Sequence, residues 1–499
     1  MRSLPGPNAR RRASAVLLTA VTLAAVSTSP ATAAGFGSRD ALGVRPLANG
    51  PTLTTRDGRR VVLRGANLAG LIDYAGVHGA VPIATADAAQ ARALGLTVVR
   101  IGVSWSRIQP RPGTTDGGYL AQVEQAARAF TRRGIYVLLD MHQDRFAAKL
   151  GQPPYVEADG APPWAVDAQG ASCSPILGQF QGYGQYYNTP CAATAAAALF
   201  ENRSVAGRPL QQHYADAVAA VTAVGRRLGP GFAGVELYNE PVDPSPTWRP
   251  TWASDWLFPF YDRLIARLRG DGYGGPIWFE GFGSATAGLV RDGQLVFAPH
   301  IYDGVFDNSL GPKTPSQLAN AYRGAGQQAR AFGAALVPGE FPGVTGGAWE
   351  SYRGWQLDLQ DRDLTGGIVW VWKQHPTKDY GWGVLGPDGA LRRGNRLALD
   401  LARPRLVASA PTVRAHRAEA DRLTVKTSGR GTVELWTGAA TGRAARNGAA
   451  PRLTVDGRPP RRNLRIRSVG HRARLPNATV GGRRITLRLP AGRHTIRLR

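Results

Sequence analysis

The pattern that most restricts the fold runs from about residue 53 to residue 402, where short β-rich runs alternate with alanine-rich stretches of helical period. Eight such runs can be counted, at residues 61–67, 97–103, 136–141, 234–238, 276–280, 295–300, 335–339 and 367–372. Helical stretches fall between them at 85–94, 119–133, 211–228, 256–269 and 315–332. Strands that alternate with helices pair in parallel, because each crossover helix returns the chain to the same end of the sheet. Eight strands over this length give a (β/α)8 TIM barrel with insertions. A doubly wound sheet would need a Gly-rich phosphate turn after its first strand, and none follows Asn67.

The flanks read differently. Residues 1–33 have the form of a secretory signal, with a basic start, an apolar stretch at 13–26 and the small-residue site Ala31-Thr32-Ala33. The expectation is a secreted protein cleaved near Ala33, with residues 34–51 as a lead-in. Cys173 and Cys191 are the only cysteines, and in an exported chain they are expected to form one disulfide. Both fall in a Gly-, Pro- and Tyr-rich insertion at 149–202, which follows the third strand and should wall the barrel mouth. Residues 403–499 alternate apolar and polar positions between Gly-rich turns, the pattern of a small β-sandwich. The expected domains are therefore a barrel at 34–402 and this basic module.

In a TIM barrel the chemistry sits where strands end, because side chains there converge on one pocket. The ends supply Arg100, His142 and Asp144, Asn239 and Glu240, His300 and Tyr302, Glu340, and Trp370 with Trp372. Glu240 and Glu340 each follow an apolar run, a costly position for a lone carboxylate. Two carboxylates facing one pocket suit glycosidic-bond hydrolysis, one donating a proton and the other acting as nucleophile or base. Arg100 beside Glu340 would keep a nucleophile ionised. Bland readings stand beside these. His142 and His300 also read as satisfied core histidines, Asp144 as a helix cap, and the two tryptophans as barrel filling. The histidines have no zinc-ligand spacing, so no metal or cofactor is expected.

These residues resemble glycoside hydrolase family 5. Asn239-Glu240-Pro241 matches its acid/base motif, and Arg100 in Val98-Val99-Arg100, His300-Ile301-Tyr302 and the later Glu340 match its other signatures. A narrower likeness, to the endoglycoceramidase branch, rests on three strings. They are Leu139-Asp140-Met141-His142-Gln143-Asp144, Gly160-Ala161-Pro162-Pro163-Trp164-Ala165 and Trp370-Val371-Trp372-Lys373. The resemblance implies retaining hydrolysis with Glu340 as nucleophile and Glu240 as acid/base. Asn239 would bind the sugar 2-hydroxyl, Arg100 and Tyr302 would orient Glu340, and Asp144 and Trp164 would contact the sugar beside the scissile bond. It implies a glycosphingolipid substrate, split into intact glycan and ceramide. One departure is clear: the lysine those enzymes tend to carry after the first strand is missing from Leu68-Ala69-Gly70-Leu71-Ile72-Asp73-Tyr74, which bears on glycan choice.

The net charge of +26 at first suggests a nucleic-acid partner, but its distribution argues otherwise. Residues 403–499 hold 23 Lys/Arg against 4 Asp/Glu, about +19 of the total. No aromatic interleaving of the base-stacking kind accompanies them. Contact with an anionic membrane or envelope, by a monomer, is one expected use; the other reading is that the arginines reflect composition and merely solvate the sandwich surface. Rival readings are an exo-acting β-glucosidase on glucosylceramide or sterol glucosides, an endo-β-1,4-glucanase, and a carbohydrate- or envelope-binding protein without turnover.

Overall fold

The computed structural model describes residues 36–499 apart from 73–80, 151–158, 175–188, 246–248, 290, 304, 306–313, 345, 374–381, 393, 395, 442–451 and 461–464. The signal-like segment 1–33 and Tyr183, Tyr186 and Tyr187 of the insertion lie outside the described residues.

Eight parallel staves form the central sheet: β1 (Arg64–Leu68), β2 (Val98–Ser104), β3 (Tyr136–His142), β4 (Phe232–Glu236), β5 (Ile277–Phe279), β6 (Leu295–Phe297), β7, and β8 (Gly367–Trp370). β7 comes in two pieces, Ala335–Leu336 against β6 and Phe341–Pro342 against β8. Because one segment pairs on both sides, the sheet curls round on itself as a (β/α)8 barrel does. β2 and β3 are buried along their whole length, as strands with helices outside and packed side chains inside must be. At Gly366 the φ is +70° and an added Cβ would meet the carbonyl oxygen of Leu63 at 1.8 Å, so only glycine lets β8 begin so close to β1.

Helices start where their caps allow. Thr314 accepts from the Gln317 N–H, the Gln317 side chain returns to the Thr314 N–H, and Pro315 opens Pro315–Phe332, which ends on left-handed Gly333. Asp116 caps Gly117–Thr131 through the Tyr119 N–H. Besides the short helices Trp105–Ile108 and Leu397–Leu401, two longer ones lie beyond those expected among the described residues. The end of the insertion is not loop but the buried, alanine-rich helix Pro190–Phe200, capped by Thr189. Ala348–Asp363 escaped the sequence pattern because its buried face includes Arg353, Gln356, Gln360 and Asp361. Cys173 and Cys191 form the expected disulfide. Among the described residues no helix is long and apolar enough to cross a membrane.

The lead-in is structured too. Leu42–Leu47 and Gly50–Thr55 form a hairpin, and Arg60–Val61 pairs with Arg405–Ser409 rather than opening the barrel. These strands join Gly431–Thr441, Thr479–Leu489 and Ile466–Arg474 in a seven-stranded sheet. A second, four-stranded antiparallel sheet holds Thr412–Ala418, Leu423–Ser428, Arg493–Leu498 and Leu453–Val455. Leu406, Leu435 and Leu487 of one sheet and Val425, Ile496 and Leu498 of the other share one apolar core. Polar ties hold this region to the barrel. Asp361 accepts from buried Arg64 and from Arg403, both at 2.9 Å, and the Trp436 indole donates to the Ala402 carbonyl.

Candidate active site

β4 ends at Glu236, and Asn239-Glu240 follow just past its tip, where the Asn239 N–H still reaches the Met141 carbonyl at 3.1 Å. Beyond β6 the chain carries His300 into a parallel bridge with Glu340. Strand ends thus bring Arg100, Asn239, Glu240, His300, Tyr302 and Glu340 into one hydrogen-bonded network.

Arg100, 1% exposed, is its hub. Its guanidinium donates to Glu340 Oε1 at 2.7 Å, Glu236 Oε2 at 2.6 Å, Asn239 Oδ1 at 2.8 Å and Asn67 Oδ1 at 2.9 Å, and Asp140 Oδ1 lies 3.0 Å away. Burial alone would weaken its charge, but Asp140, Glu236 and Glu340 outweigh that and hold its pKa well above the ordinary value. Glu340 takes its second contact from the Tyr302 hydroxyl, at 2.5 Å on Oε2. Burial pushes Glu340 above the usual carboxylate range against the pull of His300 and Arg100. His300 itself is held down to about 3 by burial, so it is neutral near pH 7 and the effective counter-charge is Arg100.

Glu240 is differently placed. Among the described residues no cation bonds it, 30% of its side chain is exposed, and burial followed by the charge of Asp144 pushes its pKa up to about 7. His300 Nδ1 lies 2.9 Å from Glu240 Oε1. His300 Nε2 faces Glu280 Oε1 at 3.3 Å, and that same oxygen accepts the Glu240 N–H at 2.8 Å. Burial, then the charges of Glu236 and Glu240, keep Glu280 protonated well above the ordinary range. Two neighbouring carboxyls therefore differ in state. Glu340, with a cation and a phenol on its oxygens, is built to be ionised, and Glu240 is built to carry a proton. One carboxylate oxygen of each, with a His300 nitrogen, lies within 4.8 Å of the others.

His142 forms the adjoining wall. Its Nδ1 is 2.7 Å from Asp140. Burial opposes its charge, but Asp140 raises its pKa well above the ordinary value. Its ring stacks on Trp370 at 5.4 Å and 9°, and its Nε2 is 3.7 Å from Asp144, whose side chain is 24% exposed. Trp372, two residues on, is instead buried in the core. Trp164 stands apart from these groups. Its indole N–H is spent on the Gln109 carbonyl, and its ring meets Trp105 and His213 edge-on. These contacts pack the partly buried ring against the core.

Several contributors were not read from the sequence. Glu236 and Asp140 sit inside apolar strands, in phase with Glu240 and with His142 and Asp144, so period two could have exposed them. Glu280 closes a recognised strand. Asn67, Gln143, whose amide donates to the Asn239 carbonyl at 2.7 Å, and Trp382, stacked on Tyr302 at 5.8 Å, give no local signal. Folding also creates clusters with metal-ligand spacing that the sequence conceals: His142–Asp144–Asp159, Glu236–Glu280–His300 and Glu240–His300–Glu340. In the last two, Arg100 and the retained protons already balance the carboxylates.

Residues 55–184 match the family model described as Cellulase (glycosyl hydrolase family 5). Endoglycoceramidase I of Rhodococcus hoagii (strain 103S) is 31% identical over 148 residues, 30% of this chain and 27% of that protein. The endoglycoceramidase of Cyanea nozakii is 28% identical over 243 residues, 42% of this chain and 46% of that protein. The chain thus spans less than half the length of these relatives. A crystal structure of endogalactoceramidase, 26% identical, superposes with a TM-score of 0.70 over 91% of this chain and 99% of that one. The fold also matches endo-glycoceramidase II from Rhodococcus sp., with a TM-score of 0.68 over 89% and 98% of the two chains at 23% identity. Residues 55–184 thus resemble family 5 glycosyl hydrolases, and in sequence and fold the chain resembles the endoglycoceramidases.

Proposed function

We propose that the protein is a secreted, retaining β-glycosidase of the endoglycoceramidase type, which splits glycosphingolipids between glycan and ceramide. The observation that carries this reading is the unequal pair: Glu340 bonded to Arg100 and Tyr302, and Glu240 free of cations with its pKa near 7. Their separation, within 4.8 Å at the nearest oxygens, supports retention. An inverting pair stands roughly 6.5–9.5 Å apart to admit a water.

In this mechanism Glu340 attacks the anomeric carbon while Glu240 protonates the departing oxygen, so that ceramide leaves as an alcohol. Glu240, now ionised, takes a proton from water, which displaces Glu340 and releases the glycan. Asn239, held by Arg100 and by the Gln143 carbonyl, presents its amide to the 2-hydroxyl. Trp370 offers a ring for sugar stacking, and Asp144 a hydrogen-bond acceptor at the pocket wall. The lysine-free segment after β1, where Leu71 and Ile72 are buried, points to a glycan read without that cation.

The two C-terminal sheets are read as a β-sandwich whose arginine excess gathers the enzyme, as a monomer, at an anionic membrane or envelope surface. Each basic residue near such a surface contributes about 1 kcal/mol before screening. Mass spectrometry of the products from a glycosphingolipid mixture tests the main reading. Intact oligosaccharide plus ceramide supports it, and free monosaccharide from the non-reducing end replaces it with an exo-glycosidase.

A further inference from the structure

A second concave site lies away from the carboxylates, where the barrel strands begin. A cleft of about 470 Å³ opens there between helix Pro315–Phe332, strand Arg60–Val61 and strand Thr412–Ala418. That volume is in the range of small-ligand pockets, roughly 300–1,000 Å³. Its rim and walls carry Arg60, Arg323, Arg330, Arg362 and Arg414, against the single acid Asp363.

Asp363 is already paired with Arg362 at 2.7 Å. Arg323 bonds the Asn320 amide and Arg60 the Thr52 hydroxyl, both at 3.0 Å. Among the described residues, Arg60, Arg323, Arg330 and Arg414 make no ion pair. The contrast with Arg59 is direct, since that residue, one position earlier, engages Asp40, Asp57 and Glu434. Arg60 is the most costly of the four, because burial draws its pKa down and no carboxylate compensates. Arginines gathered around one concave cleft focus a positive field. Four of them exceed what one carboxylate needs, and their planar forks match the oxygens of a phosphoryl group in paired hydrogen bonds.

We propose that this cleft binds a phosphoryl group, carried either by a small soluble ester or by a lipid headgroup. It is separate from the glycan pocket and requires no particular reading of that pocket.

The test uses the full-length protein and inorganic pyrophosphate, titrated calorimetrically in about 0.1 M salt, where screening is moderate. Arg330→Ala with Arg414→Ala removes two exposed cleft cations. Arg467→Ala with Arg474→Ala removes the same charge from an exposed strand outside the cleft. The expected result is saturable one-to-one binding that weakens about tenfold or more in the cleft variant and is unchanged in the control. No saturable binding, or equal weakening in both variants, overturns the proposal. Unchanged far-ultraviolet circular dichroism and thermal melting in both variants check that they are folded. Co-sedimentation with phosphatidylglycerol and phosphatidylcholine vesicles then assigns the source. Loss of phosphatidylglycerol binding in the cleft variant alone supports a lipid headgroup, and equal pelleting of all forms supports a soluble ester.

Discussion

The backbone N–H of Glu240 donates to Glu280 Oε1 at 2.8 Å, and Glu240 holds a φ of +42° while doing so. A non-glycine residue in this left-handed region costs on the order of 1–3 kcal/mol and persists only where its surroundings hold it. Glu280 supplies that hold, and its oxygen also faces His300, the neighbour of the Glu240 carboxyl. The carboxyl expected to donate the proton is thus aimed by a second carboxyl, itself kept neutral by burial.

A graded response at position 280 follows. Glu280→Gln retains an oxygen to accept the Glu240 N–H and mimics the protonated acid, so it should keep kcat within about threefold. Glu280→Ala removes the acceptor and should lower kcat by about 10- to 100-fold with little change in KM, the signature of a misaimed group. Steady-state kinetics on an aryl glycoside separates the two. A glutamine variant as inactive as the alanine one would mean that Glu280 works ionised.

The two glutamates of the proposed pair should fail differently. Glu340→Ala is expected to abolish turnover on every substrate. Glu240→Ala should cost about 10²–10⁴ on a natural glycoside but spare the first step for an aryl glycoside with a good leaving group, which needs little acid assistance. Pre-steady-state release of the aryl group measures this. Equal losses on both substrates for both variants would contradict the assignment.

The pH profile carries its own sign. Glu240 must be protonated to donate, and its pKa stands near 7, so kcat/KM should fall as pH rises through about 7. Glu340 must be ionised, so activity should also fall on the acid side, where it takes up a proton. Glu240→Gln should lose the alkaline limb. An alkaline limb that persists in this variant would mean that another group sets it.

Asp361 offers a stability test away from the pocket. It is buried between Arg64 and Arg403, at 2.9 Å from each, and burial of its charge is outweighed by those cations, so its pKa is lowered. Asp361→Asn strands the buried Arg64 and leaves Arg403 only its bond to Asp358, at 2.8 Å, and should cost about 3–5 kcal/mol in urea unfolding. A loss below about 1 kcal/mol would show that the arginines find other partners.

What could be read from the sequence followed physical contrast. Barrel staves such as Tyr136–His142 stand out because every position is buried, and Glu240 and Glu340 stand out as charges just past such runs. Glu236 and Asp140 lie within such runs, in phase with Glu240 and with His142, so only the period-two alternation marks them. The helix Ala348–Asp363 buries Arg353, Gln356 and Gln360, so no apolar face announces it. The strand Leu42–Leu47 is exposed over half its length, and its sheet is completed by strands some 350 residues later, a pairing that no local pattern encodes. The string Gly160-Ala161-Pro162-Pro163-Trp164-Ala165 implies a sugar contact for Trp164 by resemblance alone. Here Trp105, His213 and the Gln109 carbonyl claim its ring and its N–H.

The most direct measurement is hydrolysis, in H₂¹⁸O, of a glycosphingolipid whose glycan has two or more sugars, with both fragments weighed by mass spectrometry. Attack by Glu340 at the anomeric carbon, followed by water at the same carbon, places one ¹⁸O in an intact oligosaccharide and leaves ceramide with its original oxygen. Free monosaccharide, or ¹⁸O in the ceramide, would contradict the account.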